Sequence, residues 1–454
     1  MNAGQPATAS IWFLFLLLCA APGVPAQTQP PTDCRSLVGE AWVAVNENYL
    51  DPAFGGANWI AERSRAYALC ARGDAAHAVI RSMLHALDAP GVRWIDAERA
   101  ATLPIEFTGV PGPGIGLIEL LSIDIDERTR LLTIVTPVPG SPAALAGLRP
   151  GDVIESIDGV RSDTMSLAGA VDRIRGEAGT DVTLAVRRDG ESRTVRITRA
   201  DVSPEPVVEH RIVDAFNNRY GYVRLNRFVP GAGAAVAAAV DSLERAGVRG
   251  LVLDLRDNPG GLVDELVSVA EVFLGRGREI AMIAGRPGNP TALMAQDPAR
   301  TLLPLAVLID RGTASAAEAL AESLLAAGRA ELVGNSRTFG KGLAHSIQPL
   351  SDGSAIMVPT GRLISPSARD ILAQGVEPSV RVESNAWPVL DPAIEAAGPR
   401  DIVFQRALVI VSGRVLPHSR NTRAGGARDA RQAGSTAPSS AAVAIRAAIG
   451  PAAP

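Results

Sequence analysis

The chain has 454 residues, a formal net charge of −4, 47% hydrophobic residues and 20% charged residues. That length holds about two to four domains, and the composition suits a globular protein. The mildly acidic balance gives none of the broad basic field on which nucleic-acid binding relies.

The first feature is Ile11–Ala21 (IWFLFLLLCAA), an apolar run too short to span a bilayer comfortably. Val24-Pro25-Ala26 offers a small-residue cleavage site before Gln27, so residues 1–26 read as a secretory signal peptide. No Lys or Arg precedes the run. An uncleaved run would instead be a membrane anchor, and Cys19 raises a lipoprotein reading that Leu18 fits poorly. Cleavage would leave Cys34 and Cys70. Two thiols in an exported chain favour one disulfide, with two separate buried thiols as the alternative. No His or second Cys stands at ligand spacing, so no metal site is expected.

Residues 27–105 read as a helical region. Val38, Trp42, Val45 and Tyr49 fall on one helical face, and Asp51-Pro52 ends that helix. Further helices are expected over about Trp59–Ala71 and Ala75–Leu87. Trp42, Tyr49 and Trp59 read as core aromatics. From Phe107 the texture changes to short β runs: Leu131–Val135, Asp152–Ile157, Val182–Val186 and Thr194–Ile197. Short helices are expected at Ser141–Ala146 and Ser166–Arg175. The stretch Gly140–Ile154 (GSPAALAGLRPGDVI) resembles a PDZ domain. Beside it, Gly114-Ile115-Gly116-Leu117 resembles the loop in which PDZ backbone N–H groups receive a terminal carboxylate. Read alone, the same residues are a glycine-rich turn.

From Tyr220 strands and helices alternate, which predicts an α/β layer fold. Strands are expected at Gly221–Leu225, Gly250–Leu255 and Leu305–Ile309, the last two as continuous apolar runs buried on both faces. Helices are expected at Ala234–Ala246, Leu262–Leu274 and Ser315–Ala327. Asp401–Val411 reads as one last helix or strand. From Ser412 to Pro454 the Arg, Ala, Gly, Ser and Pro content shows no stable period, and disorder is expected.

Lys341 is the only lysine, leaving 43 arginines among the 44 basic residues. It stands between two glycines in Thr338-Phe339-Gly340-Lys341-Gly342. Lysine can lose its proton when desolvated and arginine cannot, so the position points to a group needed in its neutral form. Chance retention of a last lysine is the competing reading. Asp310–Glu318 (DRGTASAAE) lies between a buried strand and an alanine-rich helix. Ser315 would sit at the helix N-terminus, where unpaired amides can hold an oxyanion. Ser315-x-x-Glu318 also reads as a capping box. The stretch is not a G-x-S-x-G elbow, and Gly334–Lys341 is not a phosphate-binding loop.

Thr313–Ala316, Glu318, Thr338–Gly342, Asp254–Gly261 (DLRDNPGG) and Gly375–Pro378 together resemble the carboxyl-terminal processing peptidases, PDZ-bearing serine endopeptidases of bacterial envelopes and plastids. The resemblance runs from about Asp33 to Pro378. It implies an α/β protease core of ClpP/crotonase-like layers over 201–384, an inserted β-barrel-like PDZ domain over 106–200, and a C-terminal extension over 385–454. It implies Ser315 as nucleophile, Lys341 as general base, Glu318 as a supporting carboxylate, and an oxyanion hole from the N–H groups of Ala316 and Gly261 or Gly260. Partners on this reading are polypeptides with apolar C-termini, together with an adaptor or activator protein, in a bacterial periplasm or cell envelope; no cofactor is implied. Three features depart from the family. His345 stands where the family has Gln, the Ser315–Lys341 spacing is one residue long, and Ala89-Pro90-Gly91 replaces an Asp-Pro-His. A PDZ peptide-binding protein with an impaired catalytic core is the alternative function.

Overall fold

The computed structural model describes residues 33–414 except 88, 90, 102–112, 118–122, 126–130, 166, 203–205, 288–289, 373 and 384–395. The expected signal peptide lies outside the described residues, as does the tail from 415 onward.

Three N-terminal helices come first: α1 (Cys34–Asn48), α2 (Trp59–Ala71) and α3 (Ala76–His85). Asp33 caps α1 by accepting from the Arg35 and Ser36 N–H groups, and Asn58 caps α2 through Ala61 N–H. Cys34 and Cys70, at the start of α1 and the end of α2, are joined by a disulfide with Cα atoms 5.6 Å apart. Trp42 and Trp59 stack with ring centroids 6.3 Å apart, and the Trp42 indole N–H donates to Trp59 O at 2.8 Å. These helices share one apolar cluster with Ile356 and Val358 of a strand far later in the chain.

That strand belongs to an antiparallel sheet that the sequence pattern did not reveal. After β1 (Arg93–Ile95) the chain enters a small β-domain. β2 (Pro113–Gly114) leads in, and β9 (Ala200–Asp201) pairs with it on the way out. Between them lie β3 (Ile123–Ile125), β4 (Leu132–Ile134), β5 (Val153–Ile157), β6 (Val160–Arg161), β7 (Asp181–Arg188) and β8 (Glu191–Thr198), with the short helices α4 (Pro142–Leu145) and α5 (Leu167–Ile174). The sheet order is β3-β4-β5-β7-β8, and Ile134, Ile154, Leu184 and Val171 form its core.

The third unit carries the expected α/β alternation. Its elements are β10 (Val208–Ala215), β11 (Asn218–Leu225), α6 (Ala232–Arg245), β12 (Leu251–Asp254), α7 (Val263–Phe273), β13 (Glu279–Ala284), β14 (Pro290–Met294), β15 (Leu305–Ile309), α8 (Ala316–Ala326), β16 (Ala330–Gly334), β17 (Leu343–Pro349), β18 (Ala355–Ile364), β19 (Val380–Arg381) and α9 (Ile402–Arg414). The main sheet runs β10-β11-β12-β15-β16-β19, parallel from β11 to β19. Leu251, Leu253, Leu305, Val307 and Ile309 pack with α6, α7 and α8. The alternate residues Val252, Ala306 and Leu308 pack with Phe404, Leu408 and Val411 of α9. Burial on both faces is why these strands read as unbroken apolar runs. The open choice at 401–411 resolves as helix, and α9 continues to Arg414, into the segment read as unstructured. The second sheet has the order β1-β18-β13-β14, with β17 also on β18.

Candidate active site

The main sheet aims two loops at one place: the turn after β12 and the turn after β15. Parallel β12 and β15 end side by side, with Asp254 opposite Leu308. Beyond β15, the Thr313 hydroxyl accepts from Asp310 N–H at 3.0 Å and donates to Leu255 O at 2.8 Å. Ala314 N–H donates to Asn258 O at 2.8 Å. The two turns are thereby fixed to each other before the chain reaches Ser315. Ser315 has φ 55° and ψ −120°, a region that L-residues seldom occupy, and stands at the N-cap of α8. Strain at one residue, held by bonds on both sides, is typical of a side chain presented for chemistry.

Gly260 and Gly261 make the approach feasible. A Cβ on Gly260 would lie 2.7 Å from Ser315 Cβ and 2.9 Å from Ala316 N. Gly260 N–H donates to Asn258 Oδ1 at 2.9 Å. The N–H groups of Gly261 and Ala316 donate to no partner among the described residues. Of the two glycines offered for the oxyanion, Gly261 therefore keeps its donor and Gly260 does not. Gly261 has φ 144°, and a Cβ there would lie 2.2 Å from Phe228 O.

Glu318 joins this turn to the Lys341 loop. It is fully buried. Its Oε2 accepts from Ser315 N–H at 2.8 Å and from Lys341 N–H at 2.9 Å. Its Oε1 accepts from Gly340 N–H at 2.8 Å and from the Thr338 hydroxyl. The Thr338 hydroxyl in turn accepts from Val376 N–H at 2.7 Å, which commits its own proton to Glu318. Burial pushes the Glu318 pKa up to about 7, against the pull of the Thr338, Lys341, Gly340 and Ser315 donors. Four donors on two oxygens match the ionised form, which has no proton of its own to place. Glu318 thus caps α8 and also clamps the Lys341 backbone, so the capping reading of the Ser315–Glu318 pair holds and the same carboxylate reaches beyond the cap.

Lys341 is half-buried in the connection between β16 and β17, and the bend at Asn335-Ser336 lies in the same connection. Gly342 packs so tightly that a Cβ would lie 2.3 Å from Leu372 N. His345 is on β17 opposite Pro359, just past a register shift at Ala344. Gly114, Ile115, Gly116 and Leu117 lie in the PDZ-like unit. Val138 N–H donates to Gly116 O at 2.9 Å, Ile115 and Leu117 are buried in the core, and a Cβ on Gly116 would lie 2.2 Å from Ser141 Cβ.

The sequence reading missed three supports. Asn258 orders both turns, with its Nδ2 also donating to Leu225 O at 2.7 Å. Thr338 orients Glu318. Both residues lie inside the quoted motifs, so their side-chain chemistry was a usable signal. The third is Arg256, 1% exposed, which binds Asp254 and reaches across to Asp401 at 3.0 and 2.8 Å. The Tyr222 hydroxyl donates to the same Asp254 at 2.8 Å, and burial raises its pKa. This network fixes the root of the Asp254–Gly261 turn to the start of α9. Its partner lies 145 residues away, beyond any local pattern.

Comparison with known proteins identifies the family of the chain. Peptidase family S41 matches residues 219–382, and the PDZ domain matches residues 133–188. The chain is 36% identical over 387 residues to the carboxyl-terminal-processing protease of Synechocystis sp., covering 85% of this chain and 88% of that one. It is 35% identical over 385 residues to the chloroplastic C-terminal processing peptidase of Tetradesmus obliquus, covering 81% of each. The solved photosystem II D1 C-terminal processing protease superposes with a TM-score of 0.68 at 34% identity, covering 79% of this chain and 95% of the other. With matches of this identity along most of its length, the chain belongs to the carboxyl-terminal-processing serine proteases of peptidase family S41.

Proposed function

We propose that this protein is an exported serine endopeptidase in which Ser315 attacks and Lys341 serves as the general base. The observation that carries the reading is Glu318 Oε2, which accepts from both Ser315 N–H and Lys341 N–H. In this mechanism the neutral Lys341 amine takes the Ser315 proton as Oγ adds to the peptide carbonyl. The N–H groups of Gly261 and Ala316 receive the oxyanion. The Lys341 ammonium then protonates the leaving amine, and water repeats the sequence on the acyl-enzyme. His345 takes the place of the orienting Gln and supports the amine of Lys341.

The PDZ domain supplies selection. A terminal carboxylate would bind the amides around Gly114–Leu117, with the preceding residues added as a strand. The Cys34–Cys70 disulfide supports export to an oxidising compartment, the periplasm or cell envelope, in line with the apolar run at Ile11–Ala21. Among the described residues no helix is long and apolar enough to cross a membrane.

The test uses one unfolded polypeptide with an apolar C-terminus, offered as the free acid and as the C-terminal amide. The free acid should be cut with at least tenfold lower KM. Gly116→Ala, which drives a Cβ into Ser141, should raise the KM for the free acid to that of the amide. Equal KM for the two ends in the unaltered protein would remove the PDZ domain from substrate selection.

A further inference from the structure

Two carboxyl groups meet where the PDZ domain touches the Ser315 turn, and neither takes part in the chemistry described above. Asp257 and Asp310 are 3% and 2% exposed. Asp257 N–H donates to Asp310 Oδ1 at 3.0 Å. The same oxygen accepts from Gly312 N–H at 2.9 Å, within the turn that ends at Ser315. On the other side, Asp257 Oδ1 accepts from the Thr136 hydroxyl of the PDZ domain at 3.1 Å. Thr136 lies two residues before Val138, whose N–H holds Gly116 O. Gly312 seals the junction: a Cβ there would lie 2.5 Å from Asp257 Oδ1 and 3.2 Å from Pro150 Cγ of the PDZ domain. The remaining oxygens, Asp257 Oδ2 and Asp310 Oδ2, are buried and have no hydrogen-bond partner among the described residues. Asp257 also holds a left-handed backbone, φ 56°.

Two buried carboxylates this close are costly to ionise together. The charged groups facing them are Arg224 from β11, Asp254 from β12, and Arg256 beside Asp257. Arg256 already binds Asp254 and Asp401. Burial, followed by repulsion from Asp310, holds Asp257 well above the usual carboxylate range, and burial raises Asp310 as well.

We propose that Asp257 and Asp310 are a proton-sharing pair of positioning residues that seats the PDZ domain on the turn carrying Ser315. One retained proton removes the repulsion and leaves a single negative charge in the buried junction. Thr136 docks on the Asp257 side, and Asp310 holds the turn through Gly312. The pair touches no substrate. Its effect on turnover rests on Ser315 being the nucleophile, whereas its proton can be read without turnover.

The experiment measures thermal unfolding midpoints of the full chain at pH 5 and pH 8.5, for the unaltered protein, Asp257→Asn and Asp310→Asn. A carboxyl whose pKa is raised by folding stabilises the fold below its unfolded pKa, and that stability is lost as pH rises. Each Asn variant lacks this loss, so its midpoint should gain on the unaltered protein by about 2 °C or more between pH 5 and pH 8.5. A midpoint difference that does not change with pH overturns the shared proton. For positioning, kcat/KM on an unfolded polypeptide should fall at least tenfold in Asp257→Ala, with most of the loss recovered in Asp257→Asn, which still accepts from Thr136. Equal losses in the two variants overturn the docking role. Were the unaltered protein to cut nothing, the serine–lysine reading would fail on its own while the unfolding comparison still decided the shared proton.

Discussion

Replacing Glu318 by Gln separates the stability of the site from its geometry. Either orientation of the amide turns its NH2 toward two donors: Ser315 N–H with Lys341 N–H, or Gly340 N–H with the Thr338 hydroxyl. Leaving two buried donors without an acceptor costs about 2–6 kcal/mol. Against this, the carboxylate itself is expensive to bury. The rise of its pKa from 4.5 to about 7 corresponds to about 3 kcal/mol above pH 7, which Gln does not carry. The two effects nearly offset, so the unfolding midpoint at pH 8 should change by only a few degrees. Activity has no such offset. Displacing the Ser315 or Lys341 backbone by about 1 Å should lower kcat about 100-fold. The pH behaviour follows with its sign. The raised pKa stabilises the fold below about pH 4.5, and that contribution is lost as pH rises through about 7. Glu318→Gln should therefore gain in relative stability from pH 5 to pH 8. Turnover by the unaltered protein should rise through about pH 7 as the ionised form accepts all four donors, and Glu318→Gln should lack that inflection. The assay is cleavage of an unfolded polypeptide, followed from pH 5 to 9 beside thermal unfolding. A variant within threefold of the unaltered kcat at pH 8 would refute the clamp.

Gly261→Ala should abolish measurable cleavage, because its Cβ would lie 2.2 Å from Phe228 O and the oxyanion donor must move. Loss of one such donor costs on the order of 100- to 1000-fold in kcat, and steady-state kinetics on the folded variant checks it. Cys34→Ser should weaken the N-terminal helices, since the disulfide closes a separation of 36 residues. A loop of that length is worth about 3–4 kcal/mol, read as a lowered urea midpoint that matches the reduced unaltered protein.

The parts of the fold that were legible are those whose signals are local. Capped, face-patterned helices such as α1 and unbroken apolar strands such as β15 follow from neighbours within a few residues. The second sheet was not legible because its central strand breaks the usual pattern. β18 contains Pro359 and Gly361, residues that normally argue against a central strand. Here Pro359 O accepts from Leu50 N–H of the helical region, and Gly361 admits Ile283, whose Cγ2 a Cβ would meet at 2.6 Å. A register shift at His345 hides the alternation of β17 in the same way. At the site, the composition singled out Lys341 and the strand–turn–helix pattern singled out Ser315. What joins them was hidden. By its local pattern Glu318 read as a cap, because its partners at Thr338, Gly340 and Lys341 lie twenty or more residues on, and no periodicity reports a contact of that kind. The Thr136–Asp257–Asp310 contact was hidden for the same reason, since it exists only once two domains pack.

The central claim is that Ser315 and Lys341 form one catalytic unit in which the lysine must lose its proton. The most direct measurement is cleavage of an unfolded protein with an apolar C-terminus by the unaltered chain, Ser315→Ala and Lys341→Arg, side by side, with folding checked by circular dichroism. Arg keeps the charge and cannot act as a base. The account predicts cleavage by the unaltered chain alone, with both variants folded and inactive. Near-normal turnover by Lys341→Arg would contradict it.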